Sequence, residues 1–302
     1  MLTSRTKNNI GDLEFSSPME SRSLWQDAWR RLAGNRAAVV SFFLLVSFVT
    51  LVIFGPMFSP YQYDELDFEL ISNPPDITDA HWFGTDGLGR DLFVRTLMGG
   101  RISLAVGLIA TLVSIGIGVS YGAIAGYYGG KIDAMMMRFV DILYALPFMF
   151  FVILLTVVFG RSIVLMFVAI GAVNWLDMAR IVRGQTLGLK QKEFVEAART
   201  CGVTSFGIIF RHIIPNLLGL ISVYVTLTIP QVILVESFLS FLGLGVQEPE
   251  TSWGALVSQG AQEMGTAPWS LIFPASFLTM TLFCFNFIGD GLRDALDPKD
   301  HR

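Results

Sequence analysis

The side-chain constellations of this 302-residue chain that could carry covalent chemistry are few, and each lacks a necessary partner. Gly118-Val119-Ser120-Tyr121-Gly122 spells a nucleophile elbow, a pattern that works only on a strand-to-helix turn with a histidine and an acid in reach. Neither is at hand in the apolar run that holds it. Gly130-Lys131 fails as a phosphate-cradling loop, because Ala125 stands where that loop needs glycine and Ile132 where it needs Ser or Thr. The histidines His81, His212 and His301 are scattered, with no metal-ligand spacing. Ionisable residues inside apolar runs are costly and therefore functional or paired. Asp141, Asp177 and Arg180 are such residues, with Glu236 and Asp290 at run ends. Asp177 and Arg180 stand three apart, close enough on a helix to neutralise each other. None of these forms the chain of buried carboxylates that a proton-coupled pump needs. The remaining candidate is a recognition element: Glu196-Ala197-Ala198-Arg199-Thr200-Cys201-Gly202, followed thirteen residues later by Pro215, in a basic segment between two apolar runs.

The elements that position these residues are membrane helices. Hydrophobic residues make up 53% of the chain and charged ones 15%, more apolar than a soluble domain of this length. A hydrocarbon core of roughly 30 Å takes about 20 apolar residues in a helix. Six runs approach that length, at 37–58, 102–125, 139–159, 163–182, 217–235 and 269–288, so the expected fold is all-α and polytopic. Residues 1–36 form a tail and an interfacial helix, 37–292 the transmembrane domain, and 293–302 a second tail. Lys and Arg are retained on the cytoplasmic side. Sixteen of them fall on the N-terminus, the second and fourth loops and the C-terminus, against Arg90, Arg95, Arg101 and Arg161 on the other side. Both termini and the loop 183–216 are therefore expected in the cytoplasm. The first run ends in Gly55-Pro56-Met57 without a small-residue cleavage pattern and should remain as the first span. Cys201 and Cys284 lie too far apart in this topology to pair.

Within the spans, Gly118, Gly122 and Gly126 repeat at i, i+4 and i+8, which lets helix backbones approach closely in lipid. Pro147 and Pro230 should kink their helices. Gln231, Glu236 and Asn286 are candidates for a pore or gate, Glu236 alternatively for simple interfacial solvation. Residues 1–20 read as a disordered tail. From Ser23 to Arg36, Trp25, Trp29 and Leu32 recur at helical spacing beside arginines, as in an interfacial helix. The first external loop, 59–101, holds an acidic cluster of Asp64, Glu65, Asp67, Glu69, Asp76, Asp79, Asp86 and Asp91 that reads best as solvated. Its segment 81–91 is Gly-rich and expected to be ordered. The last external loop opens with Phe238-Leu239-Ser240-Phe241-Leu242-Gly243-Leu244-Gly245, which suits a re-entrant or interfacial helix. The loop 183–216 reads as two short helices with a turn at Gly202.

Glu196, Ala197, Gly202 and Pro215 fall where the cytoplasmic "EAA" loop of ABC importer permeases has its signature, and the segment resembles that loop. The strings 83–104, 236–245 and 289–298 are similar to the peptide and nickel branch of these permeases. Within it, Ser23 to Asp27, Trp175 to Gln185 and Asp297-Pro298-Lys299-Asp300 most resemble the C-type subunits of oligopeptide systems. The resemblance implies a type I importer permease fold in a bacterial inner membrane. It implies a second similar permease subunit, two ATP-binding subunits that carry the ATP and Mg, and an extracytoplasmic peptide-binding protein. The chain itself would catalyse no covalent chemistry, would hold no cofactor or metal, and would have membrane lipid but no nucleic acid as a partner. Glu196, Ala197, Ala198, Gly202 and Pro215 would form the ATPase-coupling loop. Permeases of the branch for dipeptides, nickel or another small solute are the nearer alternative. An ion-coupled secondary transporter is the remote one, since neither a midplane ion site nor an internal repeat is visible.

Overall fold

The computed structural model describes residues 24–160 and 162–296, with side chains described from Trp29 onward except at Ile163. The expected tail at 1–20, Ser23, Arg161 and residues 297–302 lie outside the described residues. Among the described residues the backbone is helical, with two isolated bridges and no strand. Helix α1, Leu24–Gly34, leads into α2, Arg36–Phe54, whose start is capped by the Asn35 side chain accepting from the Ala38 N–H at 3.2 Å. A 3₁₀ turn at Gly55–Phe58 extends α2. Helix α3, Leu92–Tyr128, has 37 residues and is about 55 Å long at 1.5 Å per residue, well beyond the roughly 30 Å of a hydrocarbon core. Next come α4, Gly130–Ala145, and α5, Phe148–Phe159, which meet at a bend of 77°. Helix α6 is Ile163–Leu189, α7 Glu193–Thr200 and α8 Ser205–Ile208. A π turn at Ile209–Ile213 joins α8 to α9, Ile214–Phe241. Helices α10, Trp253–Gln262, and α11, Trp269–Leu296, complete the described residues. Among the described residues, five helical stretches are long and apolar enough to cross a membrane, or six if the bent α4–α5 pair is one span.

The bend has a local cause. Pro147 has no N–H to donate and its ring crowds the preceding turn, so α4 stops before it and α5 starts after it. Pro230, by contrast, lies inside an uninterrupted α9, and Pro274 inside α11.

The first ten residues of α3 belong to the segment that the sequence suggests is loop. They are helical because Asp91 caps them, accepting from the Val94 N–H at 2.8 Å. Ahead of them, residues 59–91 fold back as an ordered cap. Gly89, at φ +76°, carries the chain past the Asp67 carbonyl, where a Cβ would clash outright. Two members of the acidic cluster are not solvated. Asp86 receives Arg90 Nε at 2.8 Å, and Asp91 meets His81 Nδ1 at 2.8 Å. Burial pushes the Asp91 carboxyl above its usual range, against the hydrogen bonds from Val94 and His81 that hold it down. Arg95, fully buried, reaches Asp86, the Tyr63 carbonyl and Gln259. Helix α10 closes over this end of α3. Its Trp253 donates from the indole to the Thr96 carbonyl at 2.9 Å and from the backbone to Ser103 Oγ at 3.1 Å. The helix of the loop between α9 and α11 is thus α10, capped by Ser252. Residues 238–241 continue α9, and 242–245 form a turn.

Helix α3 packs along α6 through its glycine stripe. A Cβ on Gly118 would sit 2.7 Å from Met178 Cβ, on Gly122 2.3 Å from the Ala179 carbonyl oxygen, and on Gly126 2.7 Å from Thr186 Cβ. Only hydrogen at these three positions allows the two backbones to touch. Beyond Gly126 the chain is tied again, as Lys190 Nζ donates to the Gly126 carbonyl at 2.9 Å.

Candidate functional site: an exposed helical hairpin

Helices α7 and α8 form a hairpin packed against the C-terminal parts of α3 and α6. Helix α7 has helix-favouring Glu, Ala and Arg and acidic residues, Glu193 and Glu196, in its first turn, where the helix dipole favours them. It ends in a Schellman motif. The Val203 N–H donates to the Ala198 carbonyl at 3.1 Å, and the Gly202 N–H to the Arg199 carbonyl at 3.0 Å. That closure places residue 202 in the left-handed region, and Gly202 has φ +76° with open space around the position of a Cβ. Thr204 then caps α8, accepting from the Gly207 N–H at 3.2 Å.

The hairpin has two faces. Val195, Ala198, Ile208, Ile209 and Ile213 are buried against Val119, Ala123 and Tyr127 of α3, Met178 and Val182 of α6, and Leu217 and Ile221 of α9. The opposite face is bare. Glu193, Glu196, Ala197, Arg199 and Gly202 are exposed, as are Phe194, Phe206 and Phe210. Phe206 is 68% exposed, with its ring 4.3 Å from that of Phe210. Exposed aromatic rings beside a charged helix are the composition of a protein–protein contact, and the helical spacing of Phe206 and Phe210 carried that signal in the sequence. Ser120, for its part, donates to the Gly116 carbonyl of its own helix at 2.8 Å.

Of the residues singled out in the sequence, Glu196, Ala197 and Gly202 share the bare face, while Ala198 points into the core. Pro215 is exposed at the root of the hairpin, just after the π turn. Glu236 lies at the far end of α9, about 30 Å along the axis from Pro215. It is neither open to a pore nor solvated at an interface. It is 0% exposed, accepting from Ser103 Oγ of α3 at 3.1 Å and from Ser240 Oγ at 2.7 Å. The reason is α10, which lies over it and brings Ser252 Oγ within 3.3 Å of Ser240 Oγ. Gln231 and Asn286 are exposed, Asn286 donating to the Leu282 carbonyl.

The ion pairing also differs from the sequence expectation. Arg180 pairs not with Asp177 but with Asp141 of α4, at 2.8 Å, with its guanidinium 4.3 Å from the centre of the Tyr144 ring. One turn along α6, Arg183 grips Asp133 of α4 with two hydrogen bonds of 2.6 Å. Spacing within one helix reveals only neighbours on that helix, so partners 39 and 50 residues away were out of its reach.

Two families match the chain. Binding-protein-dependent transport system inner membrane component matches residues 118–301, and N-terminal TM domain of oligopeptide transport permease C matches residues 23–75. The chain is similar to the oligopeptide transport system permease protein OppC of Haemophilus influenzae, 60% identical over 291 residues that cover 96% of this chain and 94% of that one. With the protein of the same name from Escherichia coli strain K12 it shares 58% identity over 300 residues, 99% of each. With the dipeptide transport system permease protein DppC of Bacillus subtilis it shares 47% over 283 residues, 93% of this chain and 88% of that one.

Proposed function

The chain belongs to the family of binding-protein-dependent transport system inner membrane components, and from that premise we propose that it forms half of the translocation pore of an ATP-driven oligopeptide importer. It is a multi-pass protein of the bacterial inner membrane. The other half of the pore is a second, similar permease subunit. Two ATP-binding subunits, which carry the ATP and Mg, dock beneath, and a peptide-binding protein delivers substrate from outside. Both termini and the hairpin face the cytoplasm, as the sixteen-to-four distribution of basic residues implies. Oligopeptide is the favoured cargo because the N-terminal model of oligopeptide transport permease C matches residues 23–75 and the relatives that share 58–60% of this sequence are oligopeptide permeases.

The observation that carries the coupling role is the two-faced hairpin, bare around Glu196 and Gly202 and rooted through Val195, Ala198, Ile208, Ile209 and Ile213 in three spans. A partner that grips the bare face moves α3, α6 and α9 with it. ATP and loaded binding protein then shift the population of inward and outward states by their different affinities for the two.

The test is a cysteine placed at Gly202 in a background with Cys201→Ser and Cys284→Ser, cross-linked in membranes from cells that express the whole transporter. Capture of a P-loop ATPase, identified by mass spectrometry, is the expected outcome. An abundant, folded chain that captures none refutes the coupling role and returns the ion-coupled transporter to consideration.

A further inference from the structure

Ionisable side chains in membrane spans avoid lipid and face protein or a water-filled cavity. Among the described residues two ion pairs join α4 to α6, and they differ in this respect. Asp133 is shielded where Arg183 grips it, with its side chain 10% exposed. That pair fastens α4 to α6. One turn away, the Asp141 and Arg180 side chains are 59% and 40% exposed. The Tyr144 ring, against which the Arg180 guanidinium rests, is also exposed. One turn further along α6, Asp177 is exposed and makes no ion pair among the described residues.

These groups are not at the tip of the helix. Arg180 stands nine residues before Leu189, the last residue of α6, about 14 Å along the axis. Next to them, α5 exposes only apolar side chains such as Phe150, Leu154 and Val157, which suit lipid or a neighbouring helix. The charged band suits neither, and an exposed ion pair adds little to stability. Its place is explained by what it faces.

We propose that Asp141, Tyr144, Asp177 and Arg180 line the water-filled path for peptide, in the half of the pore nearer the hairpin. The inference rests on the permease reading and names the surface that reading leaves open. A zwitterionic peptide passing this band meets an anion and a cation in succession, so its ammonium and carboxylate each find a counter-charge without a deep binding site.

The test uses the complete transporter in nanodiscs, purified through a tag on the second permease subunit, in the Cys201→Ser, Cys284→Ser background. Single cysteines replace Tyr144, Asp177 or, as an exposed apolar reference on α5, Val157. The probe is a membrane-impermeant trimethylammonium methanethiosulfonate. Cysteines at both 144 and 177 should react at least about tenfold faster than at 157, because water reaches a path and not a lipid-facing position. Labelling at either should block peptide uptake after reconstitution. Reaction at only one of the two, or at neither, overturns the assignment. If the same complex still hydrolyses ATP in response to loaded binding protein, the permease reading survives that failure.

Discussion

Replacing Gly122 by alanine tests the claim that α3 and α6 touch backbone to backbone. The added Cβ would lie 2.3 Å from the Ala179 carbonyl oxygen and 3.0 Å from the Arg183 nitrogen. Both are main-chain atoms inside a helix, so no side-chain rotation relieves the contact, and the helices must part by about 1 Å to restore van der Waals distance. Overpacking of this kind costs about 1–3 kcal/mol. Alanine also favours the helix over glycine by about 1 kcal/mol, which would mask part of the loss. Gly116, six residues earlier on α3, separates the two effects, since a Cβ there meets nothing within 4 Å. Gly116→Ala carries the propensity gain alone, and the difference between the variants is the packing cost. Cys284, buried in α11, provides the assay: in a Cys201→Ser background its reaction with a thiol-reactive dye during heating reports unfolding. At about 2–4 °C per kcal/mol for a chain of this size, Gly122→Ala should melt roughly 2–12 °C below Gly116→Ala. Equal melting of the two variants, or a higher value for Gly122→Ala, would refute the contact.

Gly202→Asp puts a side chain where φ is +76°, a local cost of about 1–2 kcal/mol, and adds bulk and charge to the bare face. The chain should still insert, as read by its membrane abundance, while peptide uptake falls to background; Glu196→Lys should do the same. Asp133→Ala leaves Arg183 without its two hydrogen bonds and should lower stability by about 1–3 kcal/mol. The double variant Asp133→Leu/Arg183→Leu should recover much of that loss in the same melting assay, because no charge is then left alone. Gly89→Ala should loosen the cap, since its Cβ would overlap the Asp67 carbonyl. The measurable result is faster proteolysis within 59–91 of reconstituted protein, with α3 and α6 intact.

Much of the architecture was legible because lipid leaves few solutions for an apolar run. The runs at 37–58, 163–182 and 269–288 each fall within a helix of the structure. The hairpin turn was legible for a different reason, since a Schellman closure nearly dictates glycine and Gly202 sits just after a helix-favouring stretch. What escaped depends on contacts distant in sequence. Polar residues such as Arg95 and Thr96 make the start of α3 look like loop, yet they are buried under Trp253 and the cap. Helix α10 lacks a long apolar run and is held by Ser252 and by the burial of Trp253. Glu236 reads as a lone carboxylate at the end of a run, and only α10 and α3, both remote in sequence, enclose it. The partner of Arg180 was hidden in the same way.

Helix α3 begins after the capping Asp91, among the buried ion pairs of the 59–91 cap, and ends near Tyr127, packed on Val195 and Ala198 of the hairpin. A single unbroken rod therefore joins the surface that would meet a delivery protein to the surface that would meet an ATPase. Rods convert rotation into travel. If α3 pivots near one end, a tilt of 5° displaces the other by about 5 Å over its length of about 55 Å. With α6 clamped to it by three glycines, both helices swing together, and an angular change too small to disturb either end locally becomes a side-chain-sized movement on the opposite side of the membrane.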